Sequence, residues 1–137
     1  KIITDNEINK CIKNNIPKGV SVYLIFDCCH SGDIVDLKYK LIDNEFKPIR
    51  PSDPEMDNLI VLISGCAFTQ STTDAPKGGA FTNRLLEILE DNKFDISFKD
   101  LHVSLNKKLE YLKIWFGMSQ EPQIFCSKKL DGNNNWL

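Results

Sequence analysis

Two short runs in this chain are almost wholly apolar, "VSVYLIF" at 20–26 and "NLIVLIS" at 58–64. Both are rich in β-branched and aromatic residues. Continuous apolarity over five to seven positions is how a strand covered on both faces reads, most often inside a parallel sheet. A third, shorter strand is predicted at "PQIFCS", residues 122–127. Elsewhere the apolar residues recur at helical spacing. "TDNEINKCIKNNI" presents Ile8, Ile12 and Cys11 on one face behind a Thr4/Glu7 capping box, and "PKG" at 17–19 ends it. "GGAFTNRLLEILEDN" places Phe81, Leu85, Ile88 and Leu89 together. "SFKDLHVSLNKKLEYLKIWF" has a Ser97/Asp100 cap and a stripe of Phe98, Leu101, Leu105, Leu109 and Leu112. Helix, strand, strand, helix, helix, strand, with no tight hairpin signal taken, predicts an α/β sheet with helices on its faces.

The polar stretches divide the chain further. Residues 38–58 carry three prolines and many charges and are expected to be an exposed connection; residues 131–137, "DGNNNWL", are expected to be a loose tail. That leaves one domain in portions 1–37, 38–58, 59–130 and 131–137. A length of 137 residues suffices for one compact core. A net charge of -2 points to neither a nucleic acid nor an anionic membrane as partner, and no apolar stretch has membrane-spanning length. Five cysteines, an odd number with two adjacent, fit reduced thiols in the cytoplasm better than a disulfide framework. The chain opens on a helix signal without Met, as a segment of a longer protein would.

Composition leaves the chemistry open; "DCCHSG" at 27–32 does not. It follows the first apolar strand, where the carboxyl ends of strands in open α/β sheets hold their reactive groups. A thiolate there would be a nucleophile if an imidazole or backbone dipoles lowered its pKa. The plainer readings are a small buried cysteine beside a polar turn, and for Asp27 a loop-capping carboxylate. Zinc on Cys28, Cys29 and His30 is disfavoured, since adjacent cysteines chelate poorly and no C-x-x-C pair exists.

"DCCHSGDIVDL" resembles the nucleophile motif of the metacaspases, caspase-like cysteine peptidases. The segments "IITDNEINKCIKNNIPKGVSVYLIFDCCHSG", "LIVLISGCAFTQSTTDA", "GGAFTNRLLEIL" and "QEPQIFCS" are similar to that family in the same order, so the resemblance covers nearly the whole chain. It implies a caspase-like fold, a mostly parallel sheet with helices on both faces, lacking its N-terminal half. It makes Cys29 the nucleophile, with the Cys29 N–H in the oxyanion hole, and Asp27 the acid of a pocket for Arg or Lys at the cleavage position. Calcium is the implied activator, with Asp36, Asp5 and Asn6 at the ligand positions; Asn6 replaces a family Asp and costs one charge. In the loop after the second strand Ala67, Phe68 and Thr69 stand where the family commonly has acids, while Gln70 and Asp74 match.

The family's catalytic base lies in a His-Gly motif that this chain does not contain. His30 alternates away from the thiol, and His102 sits in an amphipathic helix where an ordinary half-buried imidazole is expected. The implied enzyme therefore takes its histidine from upstream, from the N-terminal half of its own domain, and acts on Arg/Lys-containing peptides as a monomer. The alternative is a pseudoprotease that binds or regulates. Self-cleavage, common in the family, is placed at Lys38 or Lys40, because Lys47 and Arg50 precede prolines.

Overall fold

The structure is a computed structural model and describes residues 2–27, 34–67, 79–116 and 120–137. Its described strands form one sheet in the order β1-β4-β5-β2-β3. These are β1 (Val22–Phe26), β2 (Tyr39–Ile42), β3 (Glu45–Pro48), β4 (Ile60–Ala67) and β5 (Gln120–Cys126), and the helices are α1 (Asp5–Asn15), α2 (Ala80–Asp91) and α3 (Phe98–Phe116). β1 and β4 run parallel, with Val22 opposite Ile60 and Phe26 opposite Ser64. The β4–β5, β5–β2 and β2–β3 pairs are antiparallel. The sheet is thus mixed rather than mostly parallel. Two helices separate β4 from β5, so the chain crosses the sheet twice and re-enters at the end where β4 stopped. A tight hairpin between β2 and β3 admits only the antiparallel sense.

β4 is the centre of the fold. Ile60, Val61, Leu62 and Ile63 are all buried, and their side chains alternate between two cores. Val61 and Ile63 meet Phe81, Leu85, Ile88 and Leu89 of α2 and Phe98, Leu101, Leu105 and Leu109 of α3. Ile60 and Leu62 meet Phe125, Val35, Leu37 and Ile12 of α1 on the other side. Helices therefore cover both faces, and of the predicted stripes Ile12, Phe81, Leu85, Ile88, Leu89, Phe98, Leu101, Leu105 and Leu109 are buried while Ile8 is half-buried. Cys11 is the exception in α1: it is exposed, and Asn9 is buried instead, donating its Nδ2 to the Val35 carbonyl at 2.6 Å. The Thr4/Glu7 capping box forms, and the Asp100 N–H donates to Ser97 Oγ at 3.1 Å.

Two polar segments differ from their reading as an exposed connection and a loose tail. Within 38–58 the chain builds the β2–β3 hairpin, turning through Asp43 and Asn44, both at positive φ (51° and 68°). That two-residue, left-handed turn matches the twist of paired strands, and Asp and Asn tolerate it. Tyr39, Leu41 and Phe46 point to one face and are buried, while Lys40 points to the other and is half-buried with its Nζ over the Phe125 ring. Lys40 lies between Lys47 and Phe125 in the sheet, so it is not the accessible cleavage point expected of it. At the other end, Trp136 is buried against Tyr23 (ring centroids 5.5 Å apart), and its backbone N–H donates to the Ile96 carbonyl at 3.0 Å. Further backbone bonds hold the tail, from the Phe98 N–H to the Asn134 carbonyl at 3.0 Å and from the Lys99 N–H to the Gly132 carbonyl at 2.9 Å.

Candidate active site

The parallel pair β1–β4 ends at one edge of the sheet, and Asp27 is the first residue past β1. Its position follows from the register: Phe26 is level with Ser64, so Asp27 emerges beside Gly65 of β4. The N-terminus of α2 comes down onto the same spot. Asp27 Oδ2 accepts hydrogen bonds from the Thr82 N–H at 3.1 Å and from Thr82 Oγ1 at 2.7 Å.

The local sequence explains the arrangement. Gly79 is the N-cap of α2 and has no side chain to satisfy the first-turn N–H groups. Asp27, 55 residues earlier, supplies the missing acceptor to Thr82 at the third helical position, where an N-cap side chain would bond. Gly79 also leaves the room for it, because a Cβ at that position would overlap the Asp27 carboxylate. The capping reading of Asp27 is realised, on a helix rather than a loop. The positive end of α2 favours a charged carboxylate there. Neither Gly79 nor Thr82 was singled out from the sequence; the available signal was a helix start whose cap position carries glycine.

The remaining expected site residues divide by position. Cys28, Cys29, His30, Gln70 and Asp74 lie outside the described residues. Asp36 is exposed, at positive φ (53°), and pairs with Arg50, whose Nη2 is 2.7 Å from Asp36 Oδ1. Asp5 is the first residue of α1, its Oδ1 accepting from the neighbouring Asn6 N–H at 2.8 Å. Among the described residues no group of three or more His, Cys, Asp or Glu side chains comes together to hold a metal ion. A guanidinium already sits on Asp36, so a calcium ion using that carboxylate would have to displace Arg50.

The other thiols and the second imidazole have structural surroundings. Burial pushes the Cys126 thiol up to about 12, and its Sγ donates to the Lys128 carbonyl at 2.9 Å. That group is no nucleophile. His102 lies on α3 with Nε2 3.1 Å from the Pro122 carbonyl oxygen, and burial lowers its pKa, against smaller opposing contributions from that bond and Glu121. It reads as the half-buried imidazole expected of it. Among the described residues no helix is long and apolar enough to cross a membrane.

The carboxylate thus stands at the carboxyl end of a parallel pair, directly before a Cys-Cys-His-Ser-Gly run. The family model for the caspase domain matches residues 1–131. This chain belongs to the caspase domain family. It is 28% identical over 149 residues to Metacaspase-2 of Trypanosoma brucei brucei, covering 94% of this chain and 41% of that protein. It is 26% identical to Metacaspase-5 of Trypanosoma cruzi, covering 94% of this chain and 32% of that protein. It is also 29% identical to a protein named Inactive metacaspase-4 of Trypanosoma brucei brucei, with 94% and 40% covered. The chain spans about two fifths or less of the length of these relatives. The fold is accordingly a caspase-like α/β fold in a metacaspase-type chain, and the family is one of cysteine peptidases.

Proposed function

We propose that this chain is the nucleophile-bearing part of a cysteine endopeptidase that cleaves after Arg or Lys. The observation that carries the reading is Asp27: a carboxylate anchored by Thr82 at the edge of the sheet, next to the family's nucleophile motif. A fixed carboxylate recognises a cation by charge-assisted hydrogen bonding. Cys29, two residues on, is the attacking group. Its thiolate adds to the scissile carbonyl carbon and the Cys29 N–H helps hold the resulting oxyanion. The C–N bond then breaks, with the leaving amine taking a proton from the imidazolium of the base. Water hydrolyses the thioester and returns the thiol.

The histidine for that dyad is assigned to a segment upstream of residue 1, and β1 is where that segment would dock. β1 has β4 on one side and no described strand on the other. Its residues are only half-buried and Ile25 is 44% exposed, whereas β4 is covered on both faces. A strand of this apolarity with an open edge accepts another strand. Cytoplasmic location, action as a monomer and calcium activation belong to the same proposal; calcium would have to compete with Arg50 for Asp36. Self-cleavage in the 38–58 segment falls to Lys38 in this reading, ahead of β2, and requires release of its carbonyl from the Ile49 N–H, which donates to it at 2.9 Å. Intact mass after incubation tests it, and the absence of a fragment ending at Lys38 removes it.

The test is hydrolysis by the protein as its source organism makes it. Peptides with Arg or Lys at the cleavage position should be cut and Asp peptides should not. Cys29→Ala should abolish the activity while Cys28→Ala leaves much of it. A second reading, a pseudoprotease that binds or regulates, is favoured by the Inactive metacaspase-4 relative and by a described histidine, His102, that bonds strand backbone. Absence of any Cys29-dependent hydrolysis in the complete protein would favour it.

A further inference from the structure

We infer that Thr82 is a positioning residue that sets the choice between Arg and Lys, by occupying one oxygen of the Asp27 carboxylate. The inference rests on the proposed role of Asp27 in the pocket and adds a residue no sequence reading assigned.

A carboxylate oxygen has two acceptor sites. Thr82 uses both on Oδ2, one with its N–H at 3.1 Å and one with its hydroxyl at 2.7 Å. Oδ1 receives no hydrogen bond from the described residues. The carboxylate is not free to exchange its two oxygens. It fills the space over Gly79 that a side chain would otherwise take. Thr82 in turn is fixed by its neighbours on α2: Phe81 and Leu85 are completely buried against the sheet.

The consequence concerns hydrogen-bond geometry. A guanidinium makes its strongest pair with a carboxylate through two parallel N–H···O bonds, one to each oxygen. An ammonium is a point donor and needs only one oxygen. With Oδ2 saturated, Asp27 can offer Oδ1 alone. Arginine then binds end-on and loses its geometric advantage, and lysine loses nothing. The pocket should therefore accept both cations with similar efficiency. Removing the Thr82 hydroxyl returns one acceptor site to Oδ2 and restores the two-point pair for arginine only.

The experiment measures kcat/KM for matched Arg and Lys peptides in the complete protein, unaltered and as Thr82→Val and Thr82→Ser. Thr82→Val should raise the Arg-to-Lys ratio by about tenfold, the worth of one added charge-assisted hydrogen bond. Thr82→Ser keeps the hydroxyl and should keep the ratio. Thr82→Ala replaces Thr82→Val where the latter does not fold. An unchanged or lower ratio in the hydroxyl-free variant, including equal losses on both peptides, overturns the inference, since a merely structural Thr82 would act on both alike. Cleavage of neither peptide by the unaltered protein would instead refute the proposed function. Thermal unfolding then decides the Thr82–Asp27 contact: a lower midpoint for Thr82→Val than for Thr82→Ser supports it, and equal midpoints overturn it.

Discussion

Gly65→Ala tests whether the sheet and the Asp27 site are mechanically one unit. Gly65 lies in β4 directly under Phe81 of α2. A methyl group there would meet Phe81 Cγ at 2.6 Å, and Cβ and Cδ2 at 2.9 Å each, against 3.4 Å for ordinary contact. The ring or the helix must give by the difference, 3.4 − 2.6 = 0.8 Å. Phe81 is completely buried, so the ring has no solvent to move into, and overpacking of this kind costs about 1–3 kcal/mol. If the first turn of α2 retreats by that amount, the Thr82 N–H to Oδ2 distance of 3.1 Å lengthens by up to 0.8 Å, to as much as 3.9 Å, and the bond weakens or is lost. Stability and cation recognition should fall together. Denaturant unfolding of Gly65→Ala, Phe81→Leu and the double variant reads the first quantity, and kcat/KM on an Arg peptide the second. The smaller leucine side chain relieves the overlap, so the double variant should be more stable than the sum of the single effects by about 1 kcal/mol or more. Strictly additive effects, or a Gly65→Ala protein as stable as the parent, would refute the packing argument.

Ser127→Ala should be among the most destabilising small changes available. Ser127 Oγ accepts from the Ile60 N–H at 2.8 Å and donates to the Asn58 carbonyl at 2.7 Å, joining the end of β5 to the start of β4. The variant leaves a buried N–H without its acceptor, a loss of about 1–3 kcal/mol in chemical denaturation; a change below about 0.5 kcal/mol, the scatter of surface substitutions, would contradict it. His102 should withdraw stability in mild acid. Burial sets its folded pKa below the ordinary 6.5, so as pH falls through 6.5 the unfolded chain binds a proton first and stability drops. His102→Gln should flatten the unfolding midpoint between about pH 5 and 7, and an equally steep profile would count against the assignment. Arg50→Gln should tighten calcium binding, measured by equilibrium dialysis, if calcium uses Asp36; unchanged affinity would remove Asp36 from any such site.

The elements that the sequence determined on its own are those specified by contiguous residues. Each helix carries its stripe locally, and α1 and α3 their caps as well, so Phe81, Leu85, Phe98 and Leu101 could be placed on buried faces without knowing what they would meet. The apolar runs at β1 and β4 likewise declare themselves, and "DCCHSG" names its chemistry by composition alone. Whether a strand is covered on both faces is another matter. β1 and β4 read alike, but among the described strands β4 has a neighbour on each side and β1 on one, and neighbours are a property of the sheet. The hairpin escaped notice because Asp43-Asn44 supplies left-handed turn residues without glycine, amid prolines and charges that read as loop. The mixed strand order and the burial of Trp136 depend on where distant segments meet, which periodicity does not encode. The pairing of Asp27 with Thr82 is of the same kind. Its two halves are separated by 55 residues, and only the parallel register of β1 on β4, with α2 returning over Gly65, brings the uncapped helix start to the carboxylate. Local spacing chooses the elements; long-range contacts decide which of their polar groups find one another.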